Sequence, residues 1–231
     1  KTDEIIAKNQ ELKKGLMQRL LTKGIGHTRF KKTEIGETPE GWEVKRLEDA
    51  CVKITDGSHF SPKLNKEGEY RIATVADIRE NKININSCKK ISKEDYEKLV
   101  KNGCKPEFGD ILFSKDGTVG LSLSFNQNID IVLLSSIAII RPKNFLNSDF
   151  CAYVLKSPNI FHKIISSKRG TGLRRIILRD LKGIQIPVPK KIEEQQKIAD
   201  FLSSVDKKIE IEKKIKEKLK ELKKGLMQVL L

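Results

Sequence analysis

The chain has 231 residues, 38% hydrophobic and 33% charged, with 46 Lys and Arg against 31 Asp and Glu for a formal charge of +15. That is enough apolar material for one large domain with an appendage, and the excess of cations points to a polyanion, nucleic acid first among them. No apolar run approaches the roughly 20 residues of a membrane span, and no secretory signal is recognisable. The four cysteines, Cys51, Cys88, Cys104 and Cys151, lack the Cys-x-x-Cys spacing of a zinc site and form no disulfide framework, so buried, reduced thiols in a cytoplasmic protein are expected.

The chain opens on a helical pattern with Ile5, Leu12, Leu16 and Leu20 mostly on one face. Residues 11–21 read ELKKGLMQRLL and residues 221–231 read ELKKGLMQVLL, so ten of eleven positions agree at an offset of 210 residues, Arg19 and Val229 being the one difference. That period is far too long for a solenoid. It implies one large module flanked by two copies of one helix.

Residues 23–41 carry five glycines or prolines and are expected to be a linker. Trp42 follows as an anchor at the edge of a core. Residues 42–190 then mix short strands and helices. Strands are expected at 111–113, 119–125 and 131–140, and a helix at 92–100 capped by Ser92 with Asp95 three residues on. Residues 149–157 and 158–166 look helical, 173–181 is ambiguous, and the prolines of 184–189 (IQIPVP) enforce extended backbone.

Glu193 and Glu194 occupy the first turn of a last helix, where its dipole favours them. Ile198, Phe201, Leu202, Val205 and Ile209 form one apolar stripe, and Ile215, Leu219, Leu222, Leu226 and Val229 form another after a slip in register. From 198 to 231 the helix runs 34 residues, about 50 Å, and such a seam is not stable alone. Its partners are expected to bind Leu12, Leu16, Leu20, Gln195, Ile198, Leu202, Val205, Ile209, Leu219, Leu222 and Leu226. Residues 1–21, another subunit or a second copy could each bury Leu219 and Leu226.

Catalytic signatures are missing. There is no phosphate-binding G-x-x-x-x-G-K-[ST] loop, no glycine-rich cofactor loop with an Asn-Pro-Pro-aromatic motif, and no ligand spacing among His27, His59 and His162. Glu-x-Lys triplets such as 212–214 lie on the Lys/Glu helix, where chance produces them. No thiol has an adjacent His to activate it.

Three polar turns stand out instead. Thr55, Asp56, Ser58, His59 and Lys63 surround an Asp-Gly turn. Ser114, Lys115, Asp116 and Thr118 follow a strand, placing small donors and a lysine on a rigid support. Lys168, Arg169, Thr171, Arg174 and Arg175 put four cations among two glycines, where backbone amides and guanidinium groups can approach phosphate or read guanine. The three turns are expected to converge on one DNA-facing side, with Arg174 and Arg175 in direct contact and Lys115 and Arg169 close behind.

The same residues carry a family resemblance. TDGSHFSP (55–62), ISKEDYEKL (91–99), GDILFSKDGTVG (109–120) and RGTGLRRI (169–176) resemble the target-recognition domains of type I restriction-modification specificity subunits. IQIPVPKKIEEQQKIADFLSSVDKKI (184–209) resembles that family's junction from domain to helix, and ELKKGLMQ followed by PEGWEVKRL (39–47) its entry into a second recognition domain. The resemblance covers nearly the whole chain. It implies an α+β recognition domain (42–190) joined through the linker to antiparallel, coiled-coil-like spacer helices (1–22 and 191–231).

In that family each domain reads one half of a split DNA target, and the helices set the gap. Two methylation subunits dock and supply S-adenosylmethionine and adenine-N6 chemistry, so this chain is expected to hold no cofactor and to be no enzyme. Restriction subunits add ATP-driven cleavage. With one recognition domain, the chain is expected to be half of a longer subunit or a half-subunit that dimerises. A stand-alone methylase or nuclease fragment and a structural coiled-coil protein are the alternatives.

Overall fold

The computed structural model describes residues 2–79, 81–166 and 175–230. Helix α1 (Thr2–Lys23) leads into a hairpin of β1 (Phe30–Thr33) and β2 (Gly36–Pro39). Next come β3 (Trp42–Arg46), the single turn α2 (Leu47–Ala50) and β4 (Cys51–Asp56). Then come β5 (Tyr70–Ala73), the small hairpin β6 (Ile78–Arg79) and β7 (Lys82–Ile83), β8 (Lys89–Ile91) and α3 (Lys93–Lys101). Strands β9 (Ile111–Ser114), β10 (Ser122–Ser124), β11 (Ile131–Leu133) and β12 (Ile137–Pro142) follow. The chain closes with α4 (Ser148–Leu155), α5 (Pro158–Ser166), α6 (Leu178–Lys182), β13 (Gln185–Pro189) and α7 (Ile192–Leu230). The α+β class and the long last helix are as expected.

The larger sheet is antiparallel in the order β10-β9-β12-β4, and a second has the order β11-β5-β8 with β11 parallel to β5. Residues 131–140 are thus two strands in two sheets. Small Ser135 and Ser136 turn the chain between them, closed by the Ile137 amide on the Leu134 carbonyl at 3.0 Å. The strand expected over 119–125 shrinks to β10 because Gly120 has φ +94° and a Cβ there would lie 2.2 Å from the Phe161 ring. Ser92 caps α3 as anticipated, accepting from the Asp95 amide at 3.1 Å. The stretch expected as a linker contains the β1–β2 hairpin, turned at Gly36 with φ +110°. All four cysteines are free and buried, and burial pushes the Cys51 and Cys88 thiols up to about 12, so they remain protonated at neutral pH.

Strands β3 and β13 pair antiparallel from Trp42 opposite Pro189 to Arg46 opposite Gln185. The chain therefore enters and leaves the domain at one place, and α1 and α7 stand side by side. Glu194 locks that joint: its carboxylate accepts from the Ile25 amide at 3.1 Å and from Trp42 Nε1 at 3.2 Å, and meets His27 Nε2 at 2.8 Å. Gly24 has no alternative there, because at φ +66° its added Cβ would meet Glu194 Oε1 at 2.6 Å.

The helices run antiparallel. Asp3 binds Lys216, Lys13 binds Asp206, and Ile25 binds Glu194, each pair of residue numbers adding to 219. Their lower ends belong to the domain core, since Met17, Leu21, Ile198, Ala199 and Leu202 pack in one cluster with Trp42, Phe113 and Phe150. No helix among the described residues is long and apolar enough to cross a membrane.

Asp206 is the polar pin of this packing. Only 5% exposed, it pairs with Lys13 and accepts from Tyr153 Oη at 2.7 Å and Asn81 Nδ2 at 3.1 Å. Burial raises its pKa, but the hydrogen bonds from Lys13 and Tyr153 and the charge of Lys13 outweigh that and hold the carboxyl below its ordinary value. A depressed folded-state pKa contributes stability above the unfolded value, about 3.9. That contribution is lost as pH falls through the folded value. Asp206→Asn should therefore lose less stability than the wild type between neutral pH and about pH 3, as read by urea unfolding. Equal losses would show that the carboxylate contributes nothing.

Candidate nucleic-acid interface

Strand β4 delivers the first turn. Asp56 ends the strand, and Gly57 has to be glycine because an added Cβ would lie 2.4 Å from the Leu133 carbonyl oxygen. The backbone there is tied down by Gly57 N to Ile137 O at 3.0 Å and Ser58 N to Leu133 O at 2.6 Å. Ser58 is buried and spends its hydroxyl on Phe60, donating to the carbonyl at 2.7 Å and accepting from the amide at 3.0 Å. Thr55 is half-buried in β4 opposite Ile139. His59, Phe60, Ser61, Lys63 and Leu64 of this turn are exposed.

The second turn departs further from expectation. Ser114 is fully buried and serves the turn itself, donating to Thr118 O at 2.6 Å and accepting from Leu121 N at 2.7 Å. Lys115 is not at a tip. It is 1% exposed, with Nζ 2.5 Å from Asp56 Oδ1, an ionic contact whose angles fall outside those of an aligned hydrogen bond. The reason is local: β9 carries buried side chains on both faces through Ser114, and the next side chain continues inward until a carboxylate meets it. Asp116 accepts from the Gly117 amide at 2.8 Å, and Thr118 is exposed.

Lys168, Arg169, Thr171 and Arg174 lie outside the described residues. Arg175 is described and exposed, and the next residue, Ile176, donates its amide to the Lys115 carbonyl at 2.8 Å. The first two turns therefore meet at Lys115, whose side chain holds the first and whose backbone is part of the second, and its carbonyl fixes Ile176 beside them. Around that junction the outward-facing candidates are His59, Lys63, Thr118 and Arg175. Two were missed by sequence reasoning: Phe60, 52% exposed, and Lys98, whose ammonium sits 5.3 Å from the Phe60 ring centroid. A lone Phe inside a polar turn was the available signal, since aromatic faces stack on bases or cations.

The residues expected at a partner surface divide in two. Gln195 is fully buried; its side chain donates to Phe145 O at 2.9 Å and Pro189 O at 2.8 Å and accepts from Asn147 N at 2.8 Å. Ile198, Leu202 and Ile209 are also buried within the chain, Val205 is half-buried, and Leu16 and Leu20 pack against the core. Within this chain these residues pack into its own interior. Leu12, Leu219, Leu222 and Leu226 are open, as is Phe201 at 56% exposure, against the expectation that Phe201 joins the buried stripe. One short partner helix covers only a narrow seam, and Phe201 falls beside it. Among the described residues no group of His, Cys, Asp or Glu could hold a metal.

The α+β domain that joins the first two turns at Lys115 stands on the paired helices α1 and α7. Residues 39–221 match the family model of the type I restriction modification DNA specificity domain, and the chain belongs to that family. It is 34% identical over 209 residues to the proposed type I restriction enzyme MjaX specificity subunit of Methanocaldococcus jannaschii, covering 87% of this chain and 48% of that protein. It is 30% identical over 226 residues to the MjaVIII specificity subunit of the same organism, covering 95% and 52%. The HsdS subunit from Thermoanaerobacter tengcongensis shares the fold with a TM-score of 0.61 at 21% identity, over 98% of this chain and 51% of that one. The chain thus spans about half the length of the specificity subunits it matches.

Proposed function

We propose that this chain reads one half of a bipartite DNA target and, through its helices, docks the adenine-N6 methylation subunits of a type I restriction-modification complex in the cytoplasm. What supports this reading is the junction at Lys115, where Asp56 and the Ile176 amide bring the first two turns and the exposed Arg175 together. Rigid support lets donors at turn tips hold a fixed register on a duplex. S-adenosylmethionine belongs to the methylation subunit in this reading, and restriction subunits join through it. The paired helices hold the domain at a set distance from a second recognition domain, supplied by a longer subunit or by a second copy.

Exposed Phe201 marks the face offered to the methylation subunit, since exposed aromatics on a rigid helix make strong anchors. Sequencing of methylated adenines in cells carrying this chain and its methylation subunit should return a split motif. Phe201→Asp should reduce capture of the methylation subunit about tenfold or more, a typical anchor loss, while leaving the melting curve in place. Methylation without a split motif, or undiminished capture, refutes the corresponding half of the proposal.

A further inference from the structure

The loop between β4 and β5 presents an aromatic ring on a fixed frame. Both ends are pinned: Gly57 lies against the Leu133 carbonyl and Gly68 against the Ile91 carbonyl, where an added Cβ would collide. Between them the Asn65 amide donates to Lys90 O at 3.0 Å, and the Gly68 amide to Asn65 O at 3.0 Å. Pro62 is buried, and the buried Ser58 hydroxyl holds the Phe60 backbone by both its amide and its carbonyl. Phe60 therefore stands at a defined place, yet its side chain is 52% exposed.

Single exposed apolar side chains are common, so exposure alone says little. The surroundings say more. The Lys98 ammonium lies over the Phe60 ring, 5.3 Å from its centroid. Lys63 and Lys66 are exposed on the same loop, and residues 57–66 contain no acid. An aromatic face among cations suits a polyanion built from flat π-systems, and nucleic acid is that polymer: its bases offer faces and its phosphates offer charge. An intact duplex keeps those faces covered, so the ring reaches one only where a base step opens.

We infer that Phe60 is a stacking wedge that enters one opened base step at or beside the half-site, with Lys98 neutralising a flanking phosphate. Insertion of an apolar side chain partly unstacks the step and kinks the duplex. Pyrimidine–purine steps open most readily, so the wedge selects a step of that kind without a hydrogen bond to any base edge. Arginine readout of guanine is a separate source of specificity.

This inference rests on the proposal that the chain reads DNA. The full chain with its methylation subunit is titrated with duplexes carrying the split motif that methylation sequencing returns. The duplexes are intact or carry one mismatched pair, moved step by step through and beside each half-site. A mismatched base is easier to unstack, so at the wedged step it should tighten wild-type binding about fivefold or more. Phe60→Ala should lose that gain and bind the mismatched duplex about five- to a hundredfold more weakly than the wild type, with an unchanged salt slope. Phe60→Leu keeps apolar bulk without a π-face and should follow Phe60→Ala, whereas Phe60→Tyr should follow the wild type. A gain at the methylated adenine itself belongs to base flipping by the methylation subunit and should persist in every variant. Thermal melts run alongside, and Phe60→Trp supplies an independent signal against the buried Trp42: its emission should be quenched by the mismatched duplex.

Equal binding of wild type, Phe60→Ala and Phe60→Leu to duplexes that all three bind overturns the wedge and leaves DNA reading intact. So does a mismatch scan with no gain in the wild type outside the methylated adenine. No binding of any duplex by the wild type overturns DNA reading and the wedge with it. A Phe60→Ala chain that binds DNA as the wild type does but loses capture of the methylation subunit assigns the ring to a protein interface and overturns the wedge as well.

Discussion

Lys115→Ala is expected to destabilise the domain by about 3–5 kcal/mol, the cost of leaving one member of a buried ion pair behind. Lys115 is 1% exposed and Asp56 13%, so the carboxylate abandoned by this substitution has little water to turn to. The His59 imidazole also lies 3.4 Å from it, 66% exposed. Asp56→Asn should cost a similar amount from the opposite side, by stranding the ammonium. Lys115→Met with Asp56→Asn should recover part of the loss, since an apolar stem and a neutral amide carry no unpaired charge. Urea unfolding measures all three. Affinity for DNA should fall too, because the first turn loses its fastening to Lys115 while the backbone bond from Ile176 remains, but the slope of binding against salt should stay unchanged, as no phosphate contact is removed. A destabilisation below about 1 kcal/mol, the range of exposed pairs, or a slope shallower by about one counterion, would return Lys115 to the DNA face.

That lysine shows where sequence reading stopped. Periodicity and capping located the long helices, α3 to α5 and the strands after residue 110, but none of β1 to β8; Ser92 before α3 and the proline-rich β13 are local signals whose chemistry acts within a few residues. The repeat at 11–21 and 221–231 identified both helices before any contact was known. Local signals do not say which way a side chain points once the strand ends. Ser114 and Lys115 have the composition of an exposed turn, yet a tertiary partner 59 residues away in sequence, Asp56, draws the lysine inward. Gln195 points inward and Phe201 outward for one reason: a helical stripe is defined by what covers it, and the width of α1 is not readable from α7. Two strands within residues 131–140 looked like one because both are apolar, and only the partner strands, β5 for one and β9 and β4 for the other, separate them.

Arg175→Ala is expected to weaken binding to cognate and scrambled duplexes alike, with the methylation subunit present, and to reduce the salt slope by about one counterion. Arg175 is exposed at the end of the third turn and is fixed in place by the neighbouring Ile176 amide on the Lys115 carbonyl. A cation held at the edge of a rigid domain in a chain of charge +15 is placed to neutralise a phosphate. Arg174, which lies outside the described residues, provides the contrast. If it reads a base, Arg174→Ala should cost roughly 1–3 kcal/mol on the cognate site alone and relax choice at one base pair. The two behaviours separate in one salt titration on two duplexes, because a phosphate contact changes slope for every sequence whereas a base contact changes the ratio between sequences. Unaltered affinity, slope and preference in both variants would assign the arginines to the domain's own structure and move the DNA face toward Phe60, Lys63 and Lys98, the other cationic and aromatic side chains of the first turn and its neighbour α3.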